Sequence, residues 1–192
     1  MYTIQDTCQI VRSPKFLEFR ASKWWRNRGK WKEKVTFELP MARIELQTTI
    51  SASALTCFNL ARSVDAHLSS MQHTKERAVA GRTSGLCELD DVITWEAKHF
   101  GIKQYLTVKI TKMVPYSMFE DVLMKGAFKS MQHQHYFAEK NGKTIMKDVF
   151  SYETPGWIFG IVFDRIVLRK YMTRLLINRN NLLKLLAEKE TT

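Results

Sequence analysis

Two histidines at i and i+2, His133 and His135 in the run MQHQHYF, place two imidazoles on one face of an extended chain, because strand side chains alternate between faces. Downstream stands Asn141-Gly142, a dipeptide suited to the positive φ angles of a type I′ hairpin turn. That turn sets Phe137 opposite Met146 and His135 opposite Asp148. An imidazole beside a carboxylate is an acid–base pairing, and the carboxylate favours the charged imidazolium. His133, His135 and Asp148 are therefore the candidate catalytic residues. If they face a cavity, they form its polar end, and Asp148→Asn is expected to weaken ligand binding or turnover while leaving the fold intact. Two histidines and a carboxylate are also metal-ligand types, but no third-ligand spacing accompanies them, so no metal or other cofactor is expected.

The elements that must position these residues follow from hydrophobic periodicity. In residues 42–50 (ARIELQTTI), Ile44, Leu46 and Ile50 alternate with Arg43, Glu45, Gln47 and Thr49, the pattern of a half-buried strand. Ser51 or Ser53 can cap a short helix carrying Ala54, Leu55, Phe58, Leu60 and Ala61, and a break near Ser63 leads to a second carrying Val64, His67, Leu68 and Met71. From Lys75 to Glu153 the chain reads as strands punctuated by Gly81, Gly85, Gly101, Pro115, Gly126 and Asn141-Gly142. Short turns between consecutive strands demand an antiparallel meander, since parallel neighbours need long crossovers. Six such strands join the N-terminal one in a seven-stranded sheet, and the turn at Phe100-Gly101 sets Trp95 opposite Leu106 and Ile93 opposite Val108.

After Pro155-Gly156 a helix of about 30 residues, roughly 45 Å long, is predicted. Its stripe holds Ile161, Leu168, Met172, Leu175, Leu176, Leu182, Leu183 and Leu186. The apolar sheet face must bury itself against this helix, and strand curvature leaves a space between the two where an apolar molecule can sit. The expected lining of that space is Trp95, Leu106, Phe119, Met131, His133, His135, Phe137, Met146, Asp148, Phe150, Ile161 and Met172. The remaining histidines, His67, His73 and His99, are read as structural or exposed.

The 192 residues, 45% of them hydrophobic, suffice for one α+β domain with an extension. The net charge of +11 is concentrated at the start, where residues 1–40 hold nine Lys and Arg against four acids. Lys23, Trp24, Trp25, Arg26, Arg28, Lys30, Trp31, Lys32 and Lys34 mix cations with aromatics there. Without a helical stripe or a nucleic-acid module, that segment reads as poorly ordered, or as a non-native start, with weak contact to an anionic membrane as its one surface role; nucleic acid is not an expected partner. Cys8, Cys57 and Cys87 are odd in number and widely spaced without any CxxC, which argues against both a disulfide framework and a cysteine zinc site and makes a reducing cytoplasm the simplest compartment. No signal-peptide pattern occurs, and the longest uncharged apolar run, from Thr154 to Phe163, is too short to span a membrane. The chain contains no P-loop, GxGxxG, GxSxG or HExxH.

The order of strand, two short helices, six-stranded meander and long terminal helix resembles the START-like or SRPBCC superfamily, which includes pollen allergens, lipid-transfer domains and polyketide cyclases. The segments LARSVDAHLSSMQHTKERAVAGRTSGL, DDVITWEAKHFGI, MKGAFKSMQHQHYF and DRIVLRKYMTRLLINRN carry a resemblance to small bacterial members. It extends from Met41 to about Glu188 and implies a helix-grip fold over residues 41–192, with residues 1–40 as an extension dispensable for folding. The implied function is binding of a small apolar molecule, lipid-like, isoprenoid or aromatic. The alternatives are a cyclase- or hydrolase-type enzyme using the His/Asp patch, and an accessory protein acting through its surface.

Overall fold

The computed structural model describes residues 41–156 and 163–190, together with the backbone of three short strands in the first forty residues. Those are β1 (Cys8–Ile10), β2 (Trp24–Asn27) and β3 (Lys30–Glu33). The side chains of the cation-rich cluster from Lys23 to Lys34, and all of Ile161, lie outside the described residues.

The chain continues with β4 (Ala42–Ile50), in which Ile44, Leu46 and Ile50 are buried, as the alternation predicts. Ser53 is the cap of α1 (Ala54–Ala61), its hydroxyl accepting from the Thr56 amide at 3.1 Å. Arg62 ends that helix, and Ser63 caps α2 (Val64–Ser70), accepting from the Ala66 amide at 3.2 Å. The meander follows as β5 (Arg77–Gly81), β6 (Val92–His99), β7 (Ile102–Val114), β8 (Met118–Lys125), β9 (Ser130–Lys140) and β10 (Lys143–Glu153). The sheet order β1-β4-β10-β9-β8-β7-β6-β5 is antiparallel throughout. Strands β4 to β10 are the seven expected, and β1 pairs along the free edge of β4 as an eighth.

Both hairpin registers agree with the turn chemistry. Asn141 and Gly142 take φ of 53° and 69°, and Phe137 pairs with Met146 and His135 with Asp148. Phe100 and Gly101 take φ of 51° and 80°, and Trp95 pairs with Leu106 and Ile93 with Val108. Bulges in the β5/β6 and β7/β8 ladders interrupt the pairing and bend the sheet. At Gly81 a side chain is impossible, because a Cβ would stand 1.8 Å from the Val92 carbonyl oxygen.

The terminal helix opens with a π-helical turn, Asp164–Leu168, and runs on as α3 (Arg169–Glu190), about 33 Å long. Its buried face carries Leu175, Leu176, Leu183 and Ala187, and also Arg179 and Asn180. Phe58 of α1 plugs the core beside it, edge-on to Phe119 at 5.7 Å and Phe137 at 5.6 Å. The described residues from Met41 onward supply the packing contacts just named, and we propose that the first forty residues are dispensable for folding. A chain beginning at Met41 is expected to keep its melting temperature to within a few degrees by differential scanning fluorimetry. A larger loss would assign the β1 pairing a structural role.

Candidate functional site

Alternation along β9 sends Gln132 and Gln134 to one face, where both donate to Glu120, and sends His133 and His135 to the concave face under α3. His135 is 2% exposed, and its Nδ1 lies 2.7 Å from Asp148 Oδ1 on the neighbouring strand. On the other side of the ring, Nε2 lies 3.2 Å from Asp121 Oδ1 of β8. The imidazole thus stands between two carboxylates, with one face stacked on Phe119 at 4.2 Å. The His133 ring sits 3.9 Å from it, centroid to centroid. His133 is 8% exposed, and its Nε2 lies 3.2 Å from Asp148 Oδ1, within ion-pair reach but without an aligned hydrogen bond.

Asp148 is fully buried, and α3 compensates its charge. Asn180 Nδ2 donates to Oδ2 at 2.6 Å, and Arg179 Nη1 donates to Oδ1 at 3.4 Å. A second Arg179 nitrogen donates to the Ala61 carbonyl at 3.1 Å, at the end of α1. One carboxylate therefore ties two strands to two helices. The expectation that Asp148→Asn spares the fold is revised accordingly, because the substitution would strip a buried guanidinium of its counter-charge. Burial alone would raise the Asp148 carboxyl, but the adjacent His133 and His135 rings and then the Arg179 charge outweigh it and hold it well below the usual carboxylate range.

Burial, followed by the charge of His135, pushes His133 down to about 4 from its ordinary 6.5. Between those values the unfolded chain binds a proton that the folded chain refuses, so acidification favours unfolding. The contribution is complete above pH 6.5 and is lost as the pH falls towards 4. It amounts to about 3 kcal/mol. Asp148 acts with the same sign at still lower pH. In the presence of a chelator, urea midpoints at about pH 7, 5.5 and 4.5 are expected to fall steadily, and His133→Gln to flatten that slope.

Between sheet and helix lies a cavity of about 200 Å³. Eight of the expected residues line it: Trp95, Leu106, Phe119, Met131, His133, His135, Phe150 and Met172. Phe137, Met146 and Asp148 are buried but outside its lining, because Phe137 packs on Phe58, Met146 is sealed in the core and Asp148 lies behind the two histidines. The lining also takes in residues that sequence patterning passed over. His67 lies against Trp95 at 4.3 Å with Nε2 3.2 Å from Glu76, and His99 meets the Tyr171 hydroxyl at 2.8 Å. Phe100, at the β6–β7 hairpin tip, packs 4.6 Å from Tyr171. Tyr171 and Arg179 both line the cavity and stand about 12 Å apart along α3, which separates an aromatic region from a charged one. His73 is exposed, as expected.

Asp121, absent from the sequence candidates, pairs across the ladder with His133. With His133 and His135 it brings three ligand atoms within 4.8 Å of one another, an arrangement able to hold a metal ion. Among the described residues, no helix is long and apolar enough to cross a membrane.

No protein-family model and no curated protein matches the chain in sequence. Solved structures do match its shape. The Zhui aromatase/cyclase from Streptomyces sp. R1128 superposes with a TM-score of 0.66 at 12% identity, over 80% of this chain and 97% of that one. A START superfamily protein from Mycobacterium smegmatis gives 0.59 at 13% identity, over 77% and 97% of the two chains. The ginseng major latex-like protein 151 from Panax ginseng gives 0.58 at 11% identity, over 77% and 97%. These likenesses show the fold, a helix-grip fold in which a curved antiparallel sheet packs against a long C-terminal helix.

Proposed function

We propose that this START-like chain binds a small, largely apolar molecule of one or two rings between its sheet and its terminal helix. The observation that carries the reading is the cavity itself, about 200 Å³, walled by aromatic and aliphatic side chains and polar at the His133/His135/Asp121/Arg179 region. A lined void of roughly 150 Å³ accepts benzene, whereas drug-sized ligands occupy about 300 Å³ or more. That range favours an aromatic or short isoprenoid compound over a long acyl chain. The polar region would orient such a ligand by meeting its oxygen or nitrogen. Free, buried Cys57 and Cys87 suit a reducing compartment such as the cytoplasm.

A second reading, a cyclase- or hydrolase-type enzyme, is favoured by one specific arrangement, the His135 ring between two carboxylates with His133 beside it in the cavity wall. Native mass spectrometry and solvent extraction of freshly purified protein test the first reading. A stoichiometric apolar compound is expected, and protein that releases nothing and takes up no aromatic probe would count against it. Incubation of the extracted compound with fresh protein separates the two readings, since a carrier returns it unchanged and an enzyme converts it.

A further inference from the structure

We propose that Asp121, His133 and His135 form a binding site for a divalent first-row transition ion, with Asp148 as the outer carboxylate that orients His135. The proposal stands apart from the ligand reading, because it rests on donor atoms and their partners rather than on cavity size. Three elements of geometry support it.

The ligand atoms of the three residues all lie within 4.8 Å of one another. The Asp121 Oδ1 to His135 Nε2 separation is 3.2 Å. Two donors at about 2.0–2.1 Å from a tetrahedral ion stand roughly 3.3 Å apart, so one edge of the polyhedron already has its length. The second element is His135 Nδ1, which faces Asp148 Oδ1 at 2.7 Å. A hydrogen donated there leaves Nε2 with its lone pair towards Asp121, the tautomer that a metal-ligating histidine adopts when a carboxylate backs it. Asp148 is fixed in turn by Asn180 and Arg179. The third is His133, 8% exposed, with an Nε2 that has no hydrogen-bond partner. A buried ring nitrogen without an aligned hydrogen bond is an energetic liability in a purely structural patch and an asset in a ligand set.

Two imidazoles and one carboxylate, with no thiolate, suit Zn²⁺, Fe²⁺ or Co²⁺ rather than soft monovalent ions. All three residues line the cavity, so the remaining coordination position opens into it. The sequence reading found no third ligand because Asp121 reaches the histidines through β8–β9 pairing, and no dipeptide turn between those strands announces their register.

The full-length chain, stripped with a chelator and dialysed, is titrated with Zn²⁺ by calorimetry and with Co²⁺ by visible absorption. One ion per chain is expected, with d–d bands of the intensity given by a four- or five-coordinate N/O site. Asp121→Asn and His133→Gln should each weaken Zn²⁺ binding by more than the 10–100-fold that loss of an outer partner costs. Circular dichroism of the two variants checks their folding, and the Co²⁺ spectrum of the unaltered chain needs no variant. Absence of stoichiometric binding by that chain would overturn the proposal and leave a hydrogen-bonded patch. So would binding that persists undiminished in both variants, since the ion would then sit elsewhere, for instance at His67 and Glu76.

Discussion

Arg179→Met is expected to lower the unfolding free energy by about 3–5 kcal/mol, among the largest effects of any single side chain here. Arg179 is 4% exposed and the Asp148 carboxylate it faces is fully buried, so bulk solvent does not replace either partner. Methionine fills much of the same space along the helix, and the loss is therefore electrostatic rather than a cavity effect. Asp148 would keep Asn180 and the His135 imidazole as partners but lose its cation, while the Ala61 carbonyl would lose its donor. The double variant Asp148→Asn/Arg179→Met should be more stable than the sum of the two single losses predicts, because it removes both buried charges together. Urea unfolding followed by far-ultraviolet circular dichroism reads all three variants. A single-variant loss below about 0.5 kcal/mol would mean that the carboxylate is neutralised without Arg179.

The same arginine shows where sequence reading stopped short. Residues Met172, Leu175, Leu176 and Leu183 trace the buried stripe of α3, and positions 179 and 180 fall on that stripe. The polar run NRNN around them looks like an exposed face if composition is weighed before periodicity. Periodicity was the better guide, because a charge forced onto a buried stripe announces a buried partner. The Asn141-Gly142 turn placed Asp148 opposite His135, and the structure adds Arg179 as its second partner.

Register could be read wherever a two-residue turn defined it. It could not be read between β7 and β8, where two bulges shift the pairing, or between β8 and β9, where a longer connection leaves the offset free. Asp121 fell into that second gap, although its partner His133 was recognised. The assignment of Phe137 and Met146 to the cavity failed for a different reason. Both lie on the concave face, but the face is wider than the void, and α1 covers that part of it with Phe58. Strand parity identifies a face, and only packing divides it into core and cavity.

That division suggests a substitution that closes the cavity while keeping the sheet. Ala97→Trp is expected to abolish binding of a small aromatic probe, with affinity falling at least about tenfold, a difference of about 1.4 kcal/mol. Ala97 is 6% exposed, lies on β6 in line with Ile93, Trp95 and His99, and borders the cavity with them. Its methyl group leaves room above it that an indole would occupy, displacing ligand from a space of only about 200 Å³. Overpacking at such a site costs about 1–3 kcal/mol, which the extensive antiparallel pairing of β6 with β5 and β7 should tolerate. Circular dichroism and a melting curve establish that the variant is folded, and fluorescence titration with a naphthalene-type probe reads the binding. Undiminished probe binding by folded Ala97→Trp would place the ligand outside this cavity, on another surface of the chain.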